Sequence, residues 1–203
     1  MQWIAMLTML IDHIGAAFYP DQAWFRIVGR IAFPLYVYFL VAGYMHTRNY
    51  KRYVLRLAVL AIISQPFYQL AFDTRSLNII VTLLAGLLLF KLLDTVRQPI
   101  VQGLAIVVSV LAAEWLSFDY GAYGIVLMLI YRYFQKNKLL LAHSVLELIF
   151  LVVWGLQFFS LVVTLFISTQ HRIVSTLERA RAPKWLWRSF YALHLCIIAI
   201  IRF

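Results

Sequence analysis

Charged residues are scarce in this sequence, and acidic residues are the scarcest of them. Only 13% of the 203 residues are Asp, Glu, Lys or Arg, 8 are acidic, and 64% are hydrophobic. A soluble domain is about one quarter charged and about one half apolar. The composition therefore excludes an ordinary soluble domain and predicts an integral membrane protein whose first partner is the lipid bilayer.

The sequence has a single cysteine and none of the common catalytic motifs. The single Cys196 excludes an intrachain disulfide and a cysteine-clustered metal site, so we expect no metal cofactor. The sequence has no Walker loop, dinucleotide fingerprint, zinc-protease helix or serine-hydrolase elbow. It also has no basic leader with a cleavage pattern, so we expect the first apolar segment to be retained. No polar segment is long enough for a second domain, which predicts one integral-membrane helical domain over residues 1–203.

Long apolar runs dominate what is present. They are continuous rather than alternating, which predicts an all-α transmembrane bundle instead of a barrel. Bounded by polar and turn residues, they suggest about nine spans. Gly155 is either a tight turn between the seventh and eighth spans or a kink in one long helix. The nine predicted spans are 3–19, 24–45, 53–71, 78–92, 98–116, 121–134, 139–154, 157–170 and 185–201.

The basic residues give the predicted bundle an orientation. Most of the 18 Lys and Arg residues follow the second, fourth, sixth and eighth spans. Basic loops face the cytoplasm in membrane proteins, so this pattern predicts a cytoplasmic N-terminus and an external C-terminus. The net charge of +10 is therefore interpreted as a topology signal, and no nucleic-acid partner is expected.

Asp12 and His13 form a costly polar pair inside the first apolar run. Ionisable residues within a membrane span are by default candidates for a functional site. Measured at ~1.5 Å per residue, the polar side chains of five predicted helices share a depth of about 9–11 Å below the external surface. The common depth predicts a shared wet cavity. Its members are His13, Arg30, Gln65, Glu147 and His194, with Asp12 one residue away.

Each of these side chains also has a purely structural interpretation. Gln65, beside Pro66, could satisfy backbone groups that the proline leaves unpaired. Glu147 and His194 could be ordinary hydrogen-bond partners within the bundle. Arg26 could extend its charged head to the interface.

Asp12 and His13 are expected to have different roles, because the side chains of neighbouring residues on a helix point about 100° apart. Asp12 cannot orient His13, so we expect Asp12 to pair with a cation on another helix and His13 to act as a general base. Arg26 and Arg30, four residues apart, suit an anion or a developing oxyanion. Together these groups predict proton removal from an amine or hydroxyl during acyl transfer. The alternative is an ion pair between Asp12 and Arg30 that only locks the helices.

Two further groups of polar residues flank the predicted cavity. At the cytoplasmic end of the second span, basic residues could bind the phosphates of a nucleotide-type donor. At the external mouth, polar side chains could bind substrate. The first group comprises His46, Arg48, Asn49, Arg52 and Arg56, and the second comprises Asn78, Glu114, Asp119 and Tyr120.

Several stretches resemble the TraX family, small polytopic proteins associated with acetylation of conjugative pilin and related bacterial pilin or fimbrial proteins. They read MLIDHIG, RIVGRIAFPLYVYFLVAGYMHTRN, YVLRLAVLAIISQPFY, LNIIVTL and DYGAYGIVLMLIYRYF. The resemblance implies acetyl transfer from acetyl-CoA at the bacterial inner membrane, by a buried histidine paired with arginines. The matching motif residues are Asp12, His13, Arg30, Pro34, His46, Arg48, Asn49, Arg56, Gln65, Asn78, Asp119 and Tyr120.

The chain departs from the family near its C-terminus. Ala192 stands where the family has proline, two residues before the retained His194, and STQHRIVSTLERARAPKW replaces a glycine-rich loop. The sequence therefore predicts a membrane acetyltransferase that acts on a pilin or cell-envelope acceptor outside the cytoplasm. The competing hypotheses are a transporter or export partner that uses the same buried polar side chains, and a non-catalytic pilus assembly factor.

Overall fold

Helices form nearly all of the protein. The computed structural model describes residues 1–151 and 155–202, and within these residues it has 84% helix and no strands. A 3-10 turn, Gly155–Ser160, precedes the ninth helix. The helices are α1 Gln2–Phe18, α2 Ala23–Gly29, α3 Ala32–His46, α4 Tyr50–Phe72, α5 Ile79–Thr95, α6 Pro99–Trp115, α7 Gly121–Tyr133, α8 Lys136–Phe150, α9 Leu161–Thr169, α10 His171–Arg179 and α11 Lys184–Arg202.

Polar residues between the apolar runs set where several helices begin. The side chain of Asn49 accepts from the backbone N–H of Arg52 at 2.9 Å and caps α4. Asn78 caps α5 in the same way, through the N–H of Ile80. Pro99 opens α6 in the first turn, where its missing N–H leaves no intrahelical bond unmade.

The prediction of about nine membrane spans was wrong. Among the described residues, three segments are long and apolar enough to cross a membrane: Ala23–His46, Tyr50–Phe72 and Lys184–Arg202. A fourth is counted if the bent pair Gly155–Thr169 and Ile173–Arg179 forms one span. The other helices are too short, since 17 residues rise only about 26 Å against a hydrocarbon core of about 30 Å.

The predicted segments nevertheless correspond to helices. The second segment breaks at Arg30 and Ile31, which separate α2 from α3. The seventh and eighth are separate helices, because α8 ends at Phe150 and α9 begins at Leu161. The predicted end of the seventh segment, 152–154, lies outside the described residues. The sidedness inferred from the basic loops stays a prediction.

The apolar core lies where α3, α5 and α7 meet. Val37, Leu87, Phe90, Leu127 and Met128 have no exposed surface. In contrast, α6 buries only Ala113 completely; Ile106 and Val110 pack partly against the core, and a row of apolar side chains that includes Leu104, Val108 and Leu111 is exposed. An outward apolar face is expected of a helix in contact with lipid.

Two loops join at the end of the bundle that carries the site. The backbone N–H of Leu77 donates to Ser117 O at 3.0 Å, and the N–H of Asp119 donates to Leu77 O at 2.9 Å. The hydroxyl of Thr82 also donates to Asp119 O at 2.6 Å. These bonds hold Asp119 and the following Tyr120 in a defined position beside α2.

Candidate functional site

A cavity of about 630 Å³ contains six of the predicted site residues. It lies among α1, α2, α3, α4, α5 and α11, and the 3-10 turn and the loop before α7 also line it. Tyrosine and phenylalanine rings form much of its wall. The predicted residues that line it are Asp12, His13, Arg26, Arg30, Asp119 and Tyr120, and the aromatic residues include Phe33, Tyr36, Tyr68, Phe72 and Tyr191.

Asp12 pairs with two arginines, as the sequence predicted for at least one. Its Oδ2 lies 2.9 Å from Arg26 Nη1, and its Oδ1 lies 3.3 Å from Arg30 Nη2. Gly29 permits this approach, because a Cβ at that position would overlap the Asp12 carboxylate. One carboxylate between two guanidinium groups leaves positive charge facing the cavity, which suits an anion or an oxyanion.

Arg30 is held from several directions. Its Nε donates to Arg26 O at 3.1 Å, and its Nη1 donates to Gln157 Oε1 at 2.8 Å. Its guanidinium carbon lies 5.5 Å from the centre of the Tyr120 ring. These contacts, with the Asp12 pair, fix the guanidinium of a side chain that is only 9% exposed.

His13 is oriented by another histidine. Nδ1 of His13 lies 2.7 Å from Nε2 of His194, whose Nδ1 lies 2.6 Å from Phe190 O. A carbonyl only accepts, so we assign the proton of neutral His194 to Nδ1 and the acceptor role to its Nε2. His13 then donates through Nδ1, and its Nε2 keeps a lone pair. His13 lines the cavity, so this nitrogen is the candidate base.

His194 does not have the substrate-binding position that the sequence predicted. The described lining of the cavity does not include it, and it stacks on His13 with ring centres 4.9 Å apart. The sequence placed the two rings at equal depth, as two of five side chains expected to share a cavity. Which of them faces the cavity depends on helix rotation, which depth does not determine.

Gln65 and Asn78 form hydrogen bonds with each other and do not line the first cavity. Gln65 Oε1 accepts from Asn78 N at 2.9 Å and from Asn78 Nδ2 at 2.7 Å. Gln65 Nε2 donates to Ser76 O at 2.8 Å. The two side chains therefore tie the end of α4 to the start of α5, and neither belongs to the described lining.

Glu114 and Glu147 also lie away from the cavity. Glu114 is exposed, and its Oε1 accepts from Ala122 N at 2.6 Å, next to the start of α7. Glu147 is buried in a separate polar cluster with Tyr123, His143 and Ser160. Both carboxylates serve contacts within the bundle.

A second cavity of about 1300 Å³ adjoins the first. Tyr36, Ile80, Leu83 and Tyr191 line both cavities, so these four side chains form the wall between them. Trp187 stacks on Tyr36 in the second cavity, with ring centres 5.1 Å apart and planes 12° apart.

Only some of the predicted cofactor-binding residues line this second cavity. His46 and Arg56 line it, whereas its described lining does not include Arg48, Asn49 or Arg52. Asn49 instead caps α4. Sequence reasoning missed two basic residues of the lining, Arg181 and Arg188, which it assigned only to a basic loop. They are far from Arg56 in the sequence, so no local spacing pattern linked the three arginines.

Gln157 is the other residue that sequence reasoning missed at the site. Its side chain is 1% exposed and contacts Arg30 directly. The available signal was an amide inside a predicted apolar span, where an unpaired polar group is costly.

Asp119 is the site carboxyl that lies in a loop. Burial raises its pKa from 3.8 to about 6, although the positive charge of Arg30 opposes the increase. Asp119 lines the first cavity, so a raised pKa favours the protonated acid there. Within the described residues, no group of three or more His, Cys, Asp or Glu side chains is placed to hold a metal.

Comparisons with known proteins agree with the resemblance in the sequence. The family described as TraX protein matches residues 1–202. The probable fimbrial assembly protein FimC, serogroup H1, of Dichelobacter nodosus is 31% identical over 149 residues, which are 66% of this chain and 61% of that protein. An uncharacterized protein of Rickettsia prowazekii (strain Madrid E) is 27% identical over 167 residues, 80% of this chain and 65% of that protein.

The chain therefore spans less than two thirds of the length of both relatives. No solved structure matches it. The family match extends over almost the whole chain and includes the residues that line the first cavity. On this match, the chain belongs to the TraX family.

Proposed function

We propose that this protein is a membrane acyltransferase that moves an acetyl group from acetyl-CoA to an amine or hydroxyl. The observation that carries the proposal is that His13 lines the first cavity while its Nδ1 is bonded to His194, a pairing from which we assign the lone pair to Nε2. A neutral imidazole beside two arginines is suited to general-base catalysis of acyl transfer, which contributes about 10²- to 10⁴-fold in rate.

The proposed reaction balances with the groups in the cavity. His13 Nε2 takes the proton of the acceptor as its oxygen or nitrogen forms a bond to the thioester carbonyl carbon. The negative charge that develops on the carbonyl oxygen is stabilised by Arg30 and Arg26. Collapse of this intermediate breaks the C–S bond, and the CoA thiolate receives the proton from His13.

The second cavity is the proposed donor site. Arg56, Arg181 and Arg188 would bind the phosphates of CoA, since arginine forms bidentate bonds with phosphate oxygens. Trp187 offers a flat surface to the adenine ring. The thioester would then reach the first cavity past Tyr36 and Tyr191. Arg48 and Arg52, exposed at the start of α4, would attract the donor at longer range.

The acceptor is proposed to be a pilin or another component of the bacterial cell envelope, presented at the inner membrane. The name of the Dichelobacter relative supports this choice, because that protein is described as a probable fimbrial assembly protein. Asp119 and Tyr120, at the mouth of the first cavity, are the proposed contacts for the acceptor.

The reaction is tested with acetyl-CoA labelled in its acetyl group and a cell-envelope fraction as acceptor. The purified protein in lipid nanodiscs should transfer label to envelope material, which mass spectrometry identifies. His13→Ala should abolish transfer, whereas Thr8→Ala, one to two turns away on α1, should retain it. Transfer by His13→Ala at the wild-type rate, with the variant folded, would remove the mechanism.

The donor site is tested by removing the nucleotide from the donor. Arg181→Glu and Arg188→Glu should raise KM for acetyl-CoA by roughly ten-fold each. Both variants should use S-acetyl-pantetheine, which lacks the nucleotide, as well as the wild type does. The exposed Arg179→Glu, outside the described lining of the cavity, is the matched control. Equal losses with both donors would place the nucleotide elsewhere.

The adjoining cavities also favour one alternative, a transport path without covalent chemistry. CoA distinguishes the two functions, because a bound ligand raises the unfolding temperature of a solubilised protein. An acyltransferase should be stabilised by CoA, and Arg188→Glu should reduce the effect. No stabilisation together with no transfer would favour the transporter or an assembly factor.

A further inference from the structure

A buried polar cluster lies beside the first cavity, where α7, α8 and the end of the 3-10 turn meet. Glu147 Oε1 accepts from the hydroxyls of Tyr123 and Ser160, each at 2.6 Å, and lies 3.0 Å from His143 Nε2. All four residues are 1% exposed or less. A buried carboxylate is costly unless its neighbours donate to it, and two hydroxyl donors and an imidazole nitrogen converge on this oxygen.

A chain of hydrogen bonds joins this cluster to the proposed reaction site. Arg30 Nη1 donates to Gln157 Oε1 at 2.8 Å. Gln157 Nε2 donates to the Tyr123 hydroxyl at 3.2 Å, and that hydroxyl donates to Glu147. The four side chains belong to four parts of the fold: the break between α2 and α3, the 3-10 turn, α7 and α8.

The chemistry at its two ends gives this chain a single direction. A guanidinium has only donors, so Gln157 must present its carbonyl oxygen to Arg30. Its amide nitrogen must then face Tyr123, which accepts that bond and has its own proton left for Glu147. A carboxylate has only acceptors, so the last bond also has one possible direction. The two charged ends, Arg30 and Glu147, thus favour the same orientation of the Gln157 amide.

We infer that Gln157, Tyr123 and Glu147 are positioning residues that hold Arg30 in place for the developing oxyanion. The inference rests on the proposed transfer reaction. Asp12 and the Arg26 carbonyl hold the guanidinium from α1 and α2, the Tyr120 ring lies against it, and Gln157 holds it from the 3-10 turn. Without the carboxylate, the hydroxyl of Tyr123 loses the charged acceptor that orients it, so the Gln157 amide is held less firmly and the guanidinium loses support on that side.

Two substitutions interrupt the chain with little change in volume. Tyr123→Phe removes one oxygen, and Glu147→Gln removes the charge. Each should lower kcat by about ten-fold, the cost of one hydrogen bond to a charged group. KM for acetyl-CoA should not change, because the donor cavity is untouched.

A control comes from the same cluster. Thr164 Oγ1 lies 2.6 Å from His143 Nδ1, on the side of the cluster that does not lead to Arg30. Thr164→Val also removes a buried hydroxyl at nearly constant volume. It should lower the unfolding temperature as Tyr123→Phe does, with kcat unchanged.

The decisive variant moves the charge along the chain. Combining Glu147→Gln with Gln157→Glu places a carboxylate directly on Arg30 and an amide at the far end, with the hydroxyl of Tyr123 between them. Each single substitution should lower both kcat and the unfolding temperature. The double variant should have at least half of the wild-type kcat and should regain at least half of the lost unfolding temperature.

The outcomes separate this inference from the proposed function. Wild-type kcat in Tyr123→Phe and Glu147→Gln, or an equal loss in Thr164→Val, would overturn the positioning role while transfer itself stands. No transfer by the wild type would remove the proposed function. In that case the unfolding temperature still tests the hydrogen-bond chain. Recovery in the double variant would support a chain directed by charge, and no recovery would overturn it.

Discussion

The hydrogen bond between His13 and His194 gives the imidazole of His13 one defined tautomer. Asp12, its sequence neighbour, serves a different purpose by pairing with Arg26 and Arg30. The separation follows from helix geometry, since adjacent side chains point about 100° apart. At this scale, each reactive group is oriented by residues from another helix.

Substitutions of His194 test that orientation. His194→Leu removes the acceptor for His13 Nδ1 and should lower kcat by roughly 10- to 100-fold, because the proton on His13 loses its defined place. His194→Gln offers an amide oxygen near the position of Nε2 and should retain most of kcat. The measurement is the pH dependence of kcat for acetyl transfer. Equal rates in the leucine variant and the wild type would show that His194 only packs against His13.

Asp119 predicts a pH-dependent contribution to stability. Its pKa is raised from 3.8 to about 6, so the folded protein favours the protonated acid. The stability due to this group is complete below about pH 4 and is lost as the pH rises through about 6. Asp119→Asn should therefore unfold at nearly the same temperature as the wild type at pH 4 and at a higher temperature at pH 8. A difference that is constant with pH would contradict the raised pKa.

At the scale of helices, close approach at glycine joins α1 to α2. The Cα of Gly29 faces the Asp12 carboxylate, with no room for a methyl group. The short α2 and the break after it turn Arg26 and Arg30 toward α1, although the sequence predicted one continuous span over 24–45. The break thus produces the ion-pair geometry of the site.

Two glycine substitutions separate this contact from helix propensity. Gly29→Ala should destabilise the protein by about 1–3 kcal/mol, because the added methyl displaces Asp12. Gly103→Ala, in α6, has no atom within 4 Å of its new methyl and should be neutral or stabilise by up to about 1 kcal/mol. Chemical unfolding in detergent measures both. Destabilisation of the same size in the two variants would refute the contact.

At the scale of the whole molecule, the helices differ in how they relate to the membrane. Three described segments are long and apolar enough to cross it, and α4 and α11 pack against each other. The two cavities lie along this pair: Arg56 and Arg188 line the second, whereas Phe72 lines the first. Donor and acceptor would therefore enter the site from different ends of α4.

Labelling of introduced cysteines tests that arrangement. In a Cys196→Ala background, Lys51→Cys in the first turn of α4 and Arg75→Cys just after its last turn place exposed thiols near the two ends of the helix. A helix of 23 residues rises about 35 Å, enough to cross the bilayer. A membrane-impermeant maleimide should label the two positions from opposite sides of sealed vesicles. Labelling of both from one side would show that α4 does not cross.

Composition and periodicity were sufficient for the helical class and the membrane setting, because apolar runs of this length have few other stable forms. They also identified Asp12, His13, Arg26 and Arg30, since buried charge is costly wherever it occurs. They did not count the spans correctly, because short apolar helices and spanning helices have the same composition.

What the tertiary structure alone decided is which polar groups share a cavity. Depth along a helix can be counted in the sequence, and it placed His13 and His194 at one level together with Arg30, Gln65 and Glu147. Rotation about the helix axis depends on packing against neighbours, so Gln65 and Glu147 bind other partners at similar depth. The bond from Gln157 to Arg30 joins residues 127 positions apart. Local sequence patterns do not encode such a contact, because it exists only after the helices have packed.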